Sequence, residues 1–475
     1  MEIEKRKEYK NRWIILAVLV LLPFMATLDS TIVNVVLPAM VNIFSVDMYS
    51  IQLIIICYLI TIVSTILFFG RLGDIKGKSM VFNLGLLVFT MGSLFCGLSK
   101  SFTSLVFFRI IQAIGASAAM ANNQGIITQV FPANERGKAL GISGTFLALG
   151  TMIGPPLGGV IISYLNWYYI FFINIPVGVI ATIIGIKMLP DQLSEKKEDI
   201  DFVGAVIFGV SVIFCFYSLI TGEIIGYDNQ VIIAGFVMGI ILFITFIFLE
   251  KRVKYTLVDF SLFKSSLFSI GILCTFICYM SFNSNNIIQP FYIENVLKMT
   301  PDYSGIIMMI SPLIITIIAP FSGYLSDKIG SELLTLSGLI LMGIGMSLMA
   351  TLNESSPVKE LIIYIFLISI GNGIFLSPNN SLVMSSAPSD KLGIAGSINA
   401  LVRNLGQSSG VAMATLILYS FMSIKMGIKV LGYVKGREDI FIFGMKHVYI
   451  ASALICCIGI VITAIRLKMK KKFKQ

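Results

Sequence analysis

Three ionisable residues fall deep inside apolar stretches of this chain: Asp29, Arg109 and Arg403. In a hydrocarbon environment such a group costs from ~2.5 to well over 10 kcal/mol, so each needs a partner or a task. Asp29 sits in "LDSTIVNVVLP", with Ser30, Thr31 and Asn34 beside it and Pro38 closing the segment. Burial favours the neutral acid, and a nearby guanidinium favours the carboxylate. Such a group can load a proton in one conformation and release it in another. The competing reading is a structural carboxylate bonded to neighbouring backbone or hydroxyls. Arg109 lies in "RIIQAIGASAAMANNQG", with Gln112 at i+3. It could pair transiently with Asp29, polarise it through water, or simply hydrogen-bond backbone carbonyls. Arg403 lies in "LVRNLGQSSG", with Asn404, Gln407 and, one turn before, Asn399. It could line a cavity, pair with a substrate, or hold structure.

Uncharged polar residues are dense in two further apolar stretches. One holds Ser281, Asn283, Ser284, Asn285, Asn286 and Gln289; the other holds Asn372, Ser377, Asn379, Asn380 and Ser381. Consecutive polar residues cannot all face one side of a helix, so some must line water. The candidate substrate cavity is Asp29, Asn34, Asn123, Asn286, Gln289, Asn379, Asn380, Arg403 and Gln407. No enzyme constellation appears: there is one His, no P-loop, and seven Cys without metal-ligand spacing. No cofactor is expected, only a proton as coupling ion.

These residues need elements to position them, and composition says which. Of 475 residues only 13% are charged, about half the ~25% of a soluble protein. Apolar residues make up 56% and the mean hydropathy is +0.91. A soluble domain would expose far too much apolar surface, and disordered chains are polar. What fits is an all-α polytopic membrane protein. Fourteen segments reach the ~20 apolar residues a membrane helix needs. They run roughly over 13–38, 49–70, 79–98, 102–124, 138–163, 167–187, 202–222, 231–249, 266–289, 303–324, 333–352, 359–383, 393–422 and 445–467. The termini and alternate loops carry 25 Lys and Arg against 8 in the other loops, which puts both termini in the cytoplasm. The net charge of +10 therefore sets orientation and does not point to nucleic acid. The first run contains Asp29 and lacks a small-x-small cleavage site, so it reads as an uncleaved span.

An internal repeat organises the spans. Gly70, Leu72, Asp74 and Gly77 recur as Gly323, Leu325, Asp327 and Gly330 at an offset of 253. At an offset of 256, Gly115, Asn123, Pro132, Gly150 and Gly154 recur as Gly371, Asn379, Pro388, Gly406 and Gly410. Two six-helix halves follow, 1–190 and 261–475, around a two-helix insert at 191–260. Duplicated halves of this kind build many secondary transporters, with the site between them. Asp74 lies between glycines at a helix end, where it can cap a helix N-terminus or bind an Arg such as Arg136. Gly150, Gly154 and Gly158 share one helix face and admit a close neighbour; Pro155 and Pro156 remove donors and bend the helix, with Gly159 following. The long loop at 423–446 alternates β-formers around Lys435-Gly436, which predicts a hairpin.

At these residues the chain resembles the major facilitator superfamily, and more narrowly its fourteen-span drug:proton antiporters, over nearly its whole length. "LDSTIVNVVLP" is similar to that subfamily's helix-1 motif. Gly70 to Lys78 is similar to the superfamily's signature loop, Arg109, Gln112 and Gly115 to its helix-4 motif, and Gly150 to Gly159 to the antiporter helix-5 motif. Ile75 stands where the signature loop usually has a basic residue. The resemblance implies a proton-coupled exporter of hydrophobic, cationic or neutral small molecules, working by alternating access. Asp29 and Arg109 would couple the proton, and Gly70, Asp74, Gly77, Arg136 and the helix-5 residues would gate. Late helices without acids argue against dications. The competing expectations are a lipid or lipid-precursor flippase of the same fold and a transport-inactive sensor or scaffold. The expected setting is a bacterial plasma membrane, with lipids, protons and lipophilic substrates as partners and a monomer as the unit.

Overall fold

The computed structural model describes residues 11–46, 48–190, 199–253, 256–388, 391–428, 430, 433–434 and 436–474. The described residues are almost wholly helical. In chain order the helices are α1 (Arg12–Phe44), α2 (Met48–Lys76), α3 (Lys78–Gly97), α4 (Phe102–Val130), α5 (Ala133–Tyr164), the short α6 (Tyr169–Phe172), α7 (Asn174–Met188), α8 (Phe202–Ile225) and α9 (Gln230–Glu250). They continue as α10 (Ser266–Phe291), α11 (Pro301–Ile329), α12 (Ser331–Met349), α13 (Val358–Ser385), α14 (Leu392–Met426) and α15 (Glu438–Lys474). Fourteen candidate spans are long and apolar enough to cross a membrane, with α6 and α7 sharing one. An even number of crossings brings the beginning of α1 and the end of α15 to one side, which we call the basic end.

Local chemistry ends the helices where the polypeptide must turn. Gly77 between α2 and α3, and its repeat partner Gly330 between α11 and α12, have φ of 103° and 93°. Only glycine adopts that conformation without strain. Ser101 and Ser104 form a reciprocal cap at the start of α4, and Asp201 caps α8 through the Gly204 amide.

The packing follows the repeat. In the first half α1 packs on α5, and α4 on α2 and α3; in the second α10 packs on α14, and α13 on α11 and α12. The α8–α9 hairpin packs on itself, on α2 and on α14. The halves meet through α5 against α11 and α2 against α14. Close approach there depends on missing side chains: a Cβ on Gly70 would lie 2.3 Å from Ser397 Oγ, and one on Gly141 2.7 Å from the Ala319 carbonyl.

The hairpin predicted at 423–446 does not form as read. Residues from Glu438 onward, including "EDIFIF", open helix α15. The alternation there is one short window inside a longer helical apolar pattern, and the longer pattern wins. Residues 429, 431, 432 and 435 lie outside the described residues.

Candidate functional site

Asp29 lies 17 residues into α1, about 26 Å from the basic end at 1.5 Å per residue. It is 1% exposed. Arg109 of α4, fully buried, reaches it across the first half, with Nη1 donating to Asp29 Oδ2 at 2.5 Å and to Gln112 Oε1 at 2.7 Å. Gln112 and Asn174, the first residue of α7, each donate to Asp29 Oδ1 at 3.0 Å. Gln112 also donates to Ser93 Oγ of α3 at 2.8 Å. Tyr58 of α2 lays its ring 4.3 Å from the guanidinium carbon, and Arg109 Nε donates to the Ile54 carbonyl at 3.4 Å. A single carboxylate is thus held by three donor side chains from α4 and α7, with α2 and α3 behind them. Such a fully desolvated charge pair, made through one guanidinium nitrogen and one carboxylate oxygen, is strong only while both charges persist.

The neighbours provide for the alternative. If Asp29 takes a proton, Arg109 keeps Gln112 Oε1, the Ile54 carbonyl and the Tyr58 ring. Among the described residues, its Nη2, the Tyr58 hydroxyl and Asn174 Oδ1 have no hydrogen-bond partner, so the site has unused polar capacity for a rearranged network.

A second feature sits nearer the basic end, between the halves. A cavity of about 40 Å³ is lined in part by Pro23, Asn123, Gln124, Tyr279, Asn380 and Arg403. Arg403 is 11 residues into α14, about 17 Å from the basic end. The void has room for about three waters at 10–15 Å³ each, far less than the 300–1,000 Å³ of a ligand pocket. Its floor is an amide chain across the halves: Asn399 Nδ2 donates to Gln124 Oε1 at 3.0 Å and Asn380 Oδ1 at 2.9 Å.

Of the expected cavity residues, the structure brings Asn123, Asn380 and Arg403 to this void. Asp29 is not among its lining residues, because Arg109, Gln112 and Asn174 seal it inside the first half. Asn379 instead donates to Thr275 Oγ1 and the Gly271 carbonyl. Gln289 is buried and accepts from Asn285, which in turn accepts from the Tyr449 hydroxyl. Asn286 and Gln407 are half-buried and do not line this void. The side chain of Asn34 lies outside the described residues.

The glycine face of α5 packs against α1. Cβ atoms on Gly150 and Gly154 would lie 2.2 Å from Thr27 Oγ1 and 1.9 Å from Thr31 Oγ1, and one on Gly158 3.2 Å from the Ile32 carbonyl. Gly159 has nothing within 4 Å, and α5 runs through Pro155 and Pro156 without a break. Asp74 takes the helix-cap option. Its two oxygens accept from the Gly393 and Ile394 amides at 2.9 and 2.8 Å, in the first turn of α14. Lys78, one turn on, pairs with it at 2.6 Å. Arg136 donates to Ser385 of α13. The repeat partner Asp327 accepts from the Gly137 and Lys138 amides of α5 at 3.0 and 3.2 Å. Each half therefore holds backbone amides near the start of a helix of the other at the basic end, and only Asp74 does so at the first turn.

Sequence reasoning missed Asn174, Ser93 and Tyr58, which are neutral and scattered over three helices. It also left Arg466, near the end of the last span, unremarked. That residue is 2% exposed and donates to Thr335 Oγ1 of α12 at 2.6 Å.

Comparison with known proteins agrees with this architecture. The Major Facilitator Superfamily profile matches residues 19–273 and 271–474. The chain is 33% identical over 464 residues to the riboflavin transporter RibZ of Clostridioides difficile, covering 98% of this chain and 99% of that one. It is 26% identical to the multidrug resistance protein Stp of Mycobacterium tuberculosis, covering 84% and 74% of the two chains. The solved structure of the human organic anion transporter MFSD10 superposes with a TM-score of 0.67 at 14% identity, covering 95% of this chain and 99% of that one. With two half-chain profile matches, a full-length relative and the superposed fold, this chain belongs to the Major Facilitator Superfamily and is a fourteen-span secondary transporter, not an enzyme.

Proposed function

We propose that the protein is a proton-coupled antiporter that exports small organic molecules from a bacterial cytoplasm, with the basic end and both termini inside. The observation that carries this reading is the buried Asp29–Arg109 pair with its spare partners. It supports a site that can change protonation without unfolding its surroundings. The proton site and the central cavity are separate, but they share two helices. α1 carries Asp29 and Pro23, and α4 carries Arg109, Gln112 and Asn123. The proposed coupling therefore runs through movement of α1 and α4. Protonation frees Arg109 from Asp29, loosens α1 against α4, and alters the cavity wall at Pro23 and Asn123. Gly150 and Gly154 supply the tight contact on which α1 shifts. The two halves, 1–190 and 261–475, rock about the insert, with the Asp74 and Asp327 caps closing the basic end.

Likeness to multidrug resistance proteins such as Stp supports lipophilic cargo. A second reading comes from the full-length likeness to RibZ and the amide-and-arginine lining of the cavity. In a conformation that widens this void, Asn123, Gln124, Asn380 and Arg403 would offer hydrogen bonds to a planar ring system such as a flavin. Efflux of ethidium and of riboflavin from a pump-deficient bacterium, with and without an uncoupler, separates the readings. Uncoupler-sensitive ethidium efflux supports the first and riboflavin efflux the second. Efflux of either that ignores the uncoupler refutes proton coupling.

A further inference from the structure

A cavity of about 390 Å³ lies where the α8–α9 hairpin meets α2 and α14. Its wall includes Leu67 of α2, Phe208 and Val212 of α8, Phe246 of α9, Phe260 of the following segment and Leu401 of α14. This wall is almost wholly hydrocarbon, so water inside would lack the 2–4 polar partners it needs. At the 10–15 Å³ per water used for the central void, the space would take roughly 26–39 waters. Close-packed interiors do not leave voids of that size empty.

Its position says what fills it. Ile240 and Phe243 also line it and are 52% and 42% exposed, so it opens through the apolar outer face of the insert. At the basic end, the segment leaving α9 carries Lys251, Arg252 and Lys264, all exposed. The acid of that segment, Asp259, is already paired with Lys391. An apolar slot therefore ends beside three free-facing cations at the level of lipid head groups.

We propose that this cavity is a binding site for one acyl chain of an anionic phospholipid, whose phosphate is held by Lys251, Arg252 and Lys264. The chain joins the inserted hairpin to α2 and α14. Those two helices meet at the Asp74 cap, so the bound lipid steadies the closed basic end. The site is distinct from the substrate cavity, because Leu401 and Arg403 face opposite voids on α14.

Native mass spectrometry of the full chain in detergent, with added phosphatidylglycerol or phosphatidylcholine, tests this. One phosphatidylglycerol should stay bound to the wild type at activation energies that strip other lipids. Val212→Phe and Leu401→Phe, which fill the slot from different helices, should each lose it. Arg252→Gln and Lys264→Gln should each lower the preference for phosphatidylglycerol about fivefold, the effect of one surface cation. A reporter on the slot wall, Phe216→Trp in a Trp13→Phe and Trp167→Phe background, should be quenched by bromo-acyl phosphatidylglycerol with saturation at one equivalent. Absence of a retained lipid, retention in both filling variants, equal retention of the two lipids, or unsaturable quenching would each overturn the proposal.

Discussion

On the proposed account, the Asp74 and Asp327 carboxylates at the basic end set the balance between closed and open conformations. Asp74 holds two first-turn amides of α14 at 2.9 and 2.8 Å and pairs with Lys78. Those amides, on Gly393 and Ile394, are among the donors that a helix start leaves without an internal partner. A charge-assisted bond is worth about 1.5–3 kcal/mol against about 0.5–1.5 for a neutral one. Asp74→Asn weakens one bond and leaves only one oxygen to serve two amides, so the closed state should lose about 2–3 kcal/mol. At 1.4 kcal/mol per decade, the open-to-closed ratio should rise roughly 30- to 150-fold. Asp327 binds Gly137 and Lys138 at 3.0 and 3.2 Å, amides past the first four of α5 that already have helical partners. Asp327→Asn should therefore cost less, about 1–2 kcal/mol. Spin labels on exposed basic-end positions of the two halves, read by pulsed dipolar spectroscopy in nanodiscs, report the two populations. The Asn variants should widen the distance distribution in the order Asp74 over Asp327, with the double variant near the sum. An unchanged distribution in Asp74→Asn would refute the latch, and the reverse order would refute the capping argument.

Further outcomes follow from individual contacts. Gly154→Ala puts a Cβ 1.9 Å from Thr31 Oγ1 and should destabilise by about 1–3 kcal/mol; Thr31→Ala should restore most of the thermal midpoint. Arg109→Lys keeps the charge but loses the Nε bond to the Ile54 carbonyl and the planar group lying over the Tyr58 ring. It should cut gradient-driven efflux at least tenfold while expression and elution profile stay normal. Burial pushes the Asp259 carboxyl up, but the bonds from Lys391 and Ser261 outweigh it and hold it below the ordinary value. Its stabilising share is then full at neutral pH and lost as pH falls below about 4. The melting difference between wild type and Asp259→Asn should shrink to nothing on that acid limb, and a difference that persists there would contradict the pairing.

The spans were legible because each must be apolar for ~20 residues, a signal that no tertiary contact alters. Asp29 and Arg109 stood out because ionisable groups are costly in such runs, and Gln112 because it lies one turn from Arg109. The repeat exposed Asp327 beside Asp74, but not what either would bind, since a cap depends on which helix start lies opposite. Asn174, Ser93 and Tyr58 carried no signal of their own: neutral polar residues are common in spans, and only packing brings these three to one carboxylate. The same dependence on packing explains Asn379 and Gln289, which satisfy hydrogen bonds inside the second half. Arg466 went unremarked because a basic residue near a terminus resembles its solvated neighbours. The 423–446 segment misled through a local alternation that a longer helix absorbed.

The central claim is that Asp29 carries the coupling proton. Proteoliposomes loaded with whichever of ethidium or riboflavin the cells export, and given an imposed pH gradient, test it with wild type and Asp29→Asn side by side. The variant keeps the side-chain volume and one acceptor oxygen, which can serve either Arg109 or the Gln112 and Asn174 amides but not all three, so expression and elution profile are checked beside transport. The account predicts gradient-stimulated transport for the wild type and none for the variant. Equal stimulation of both would contradict it.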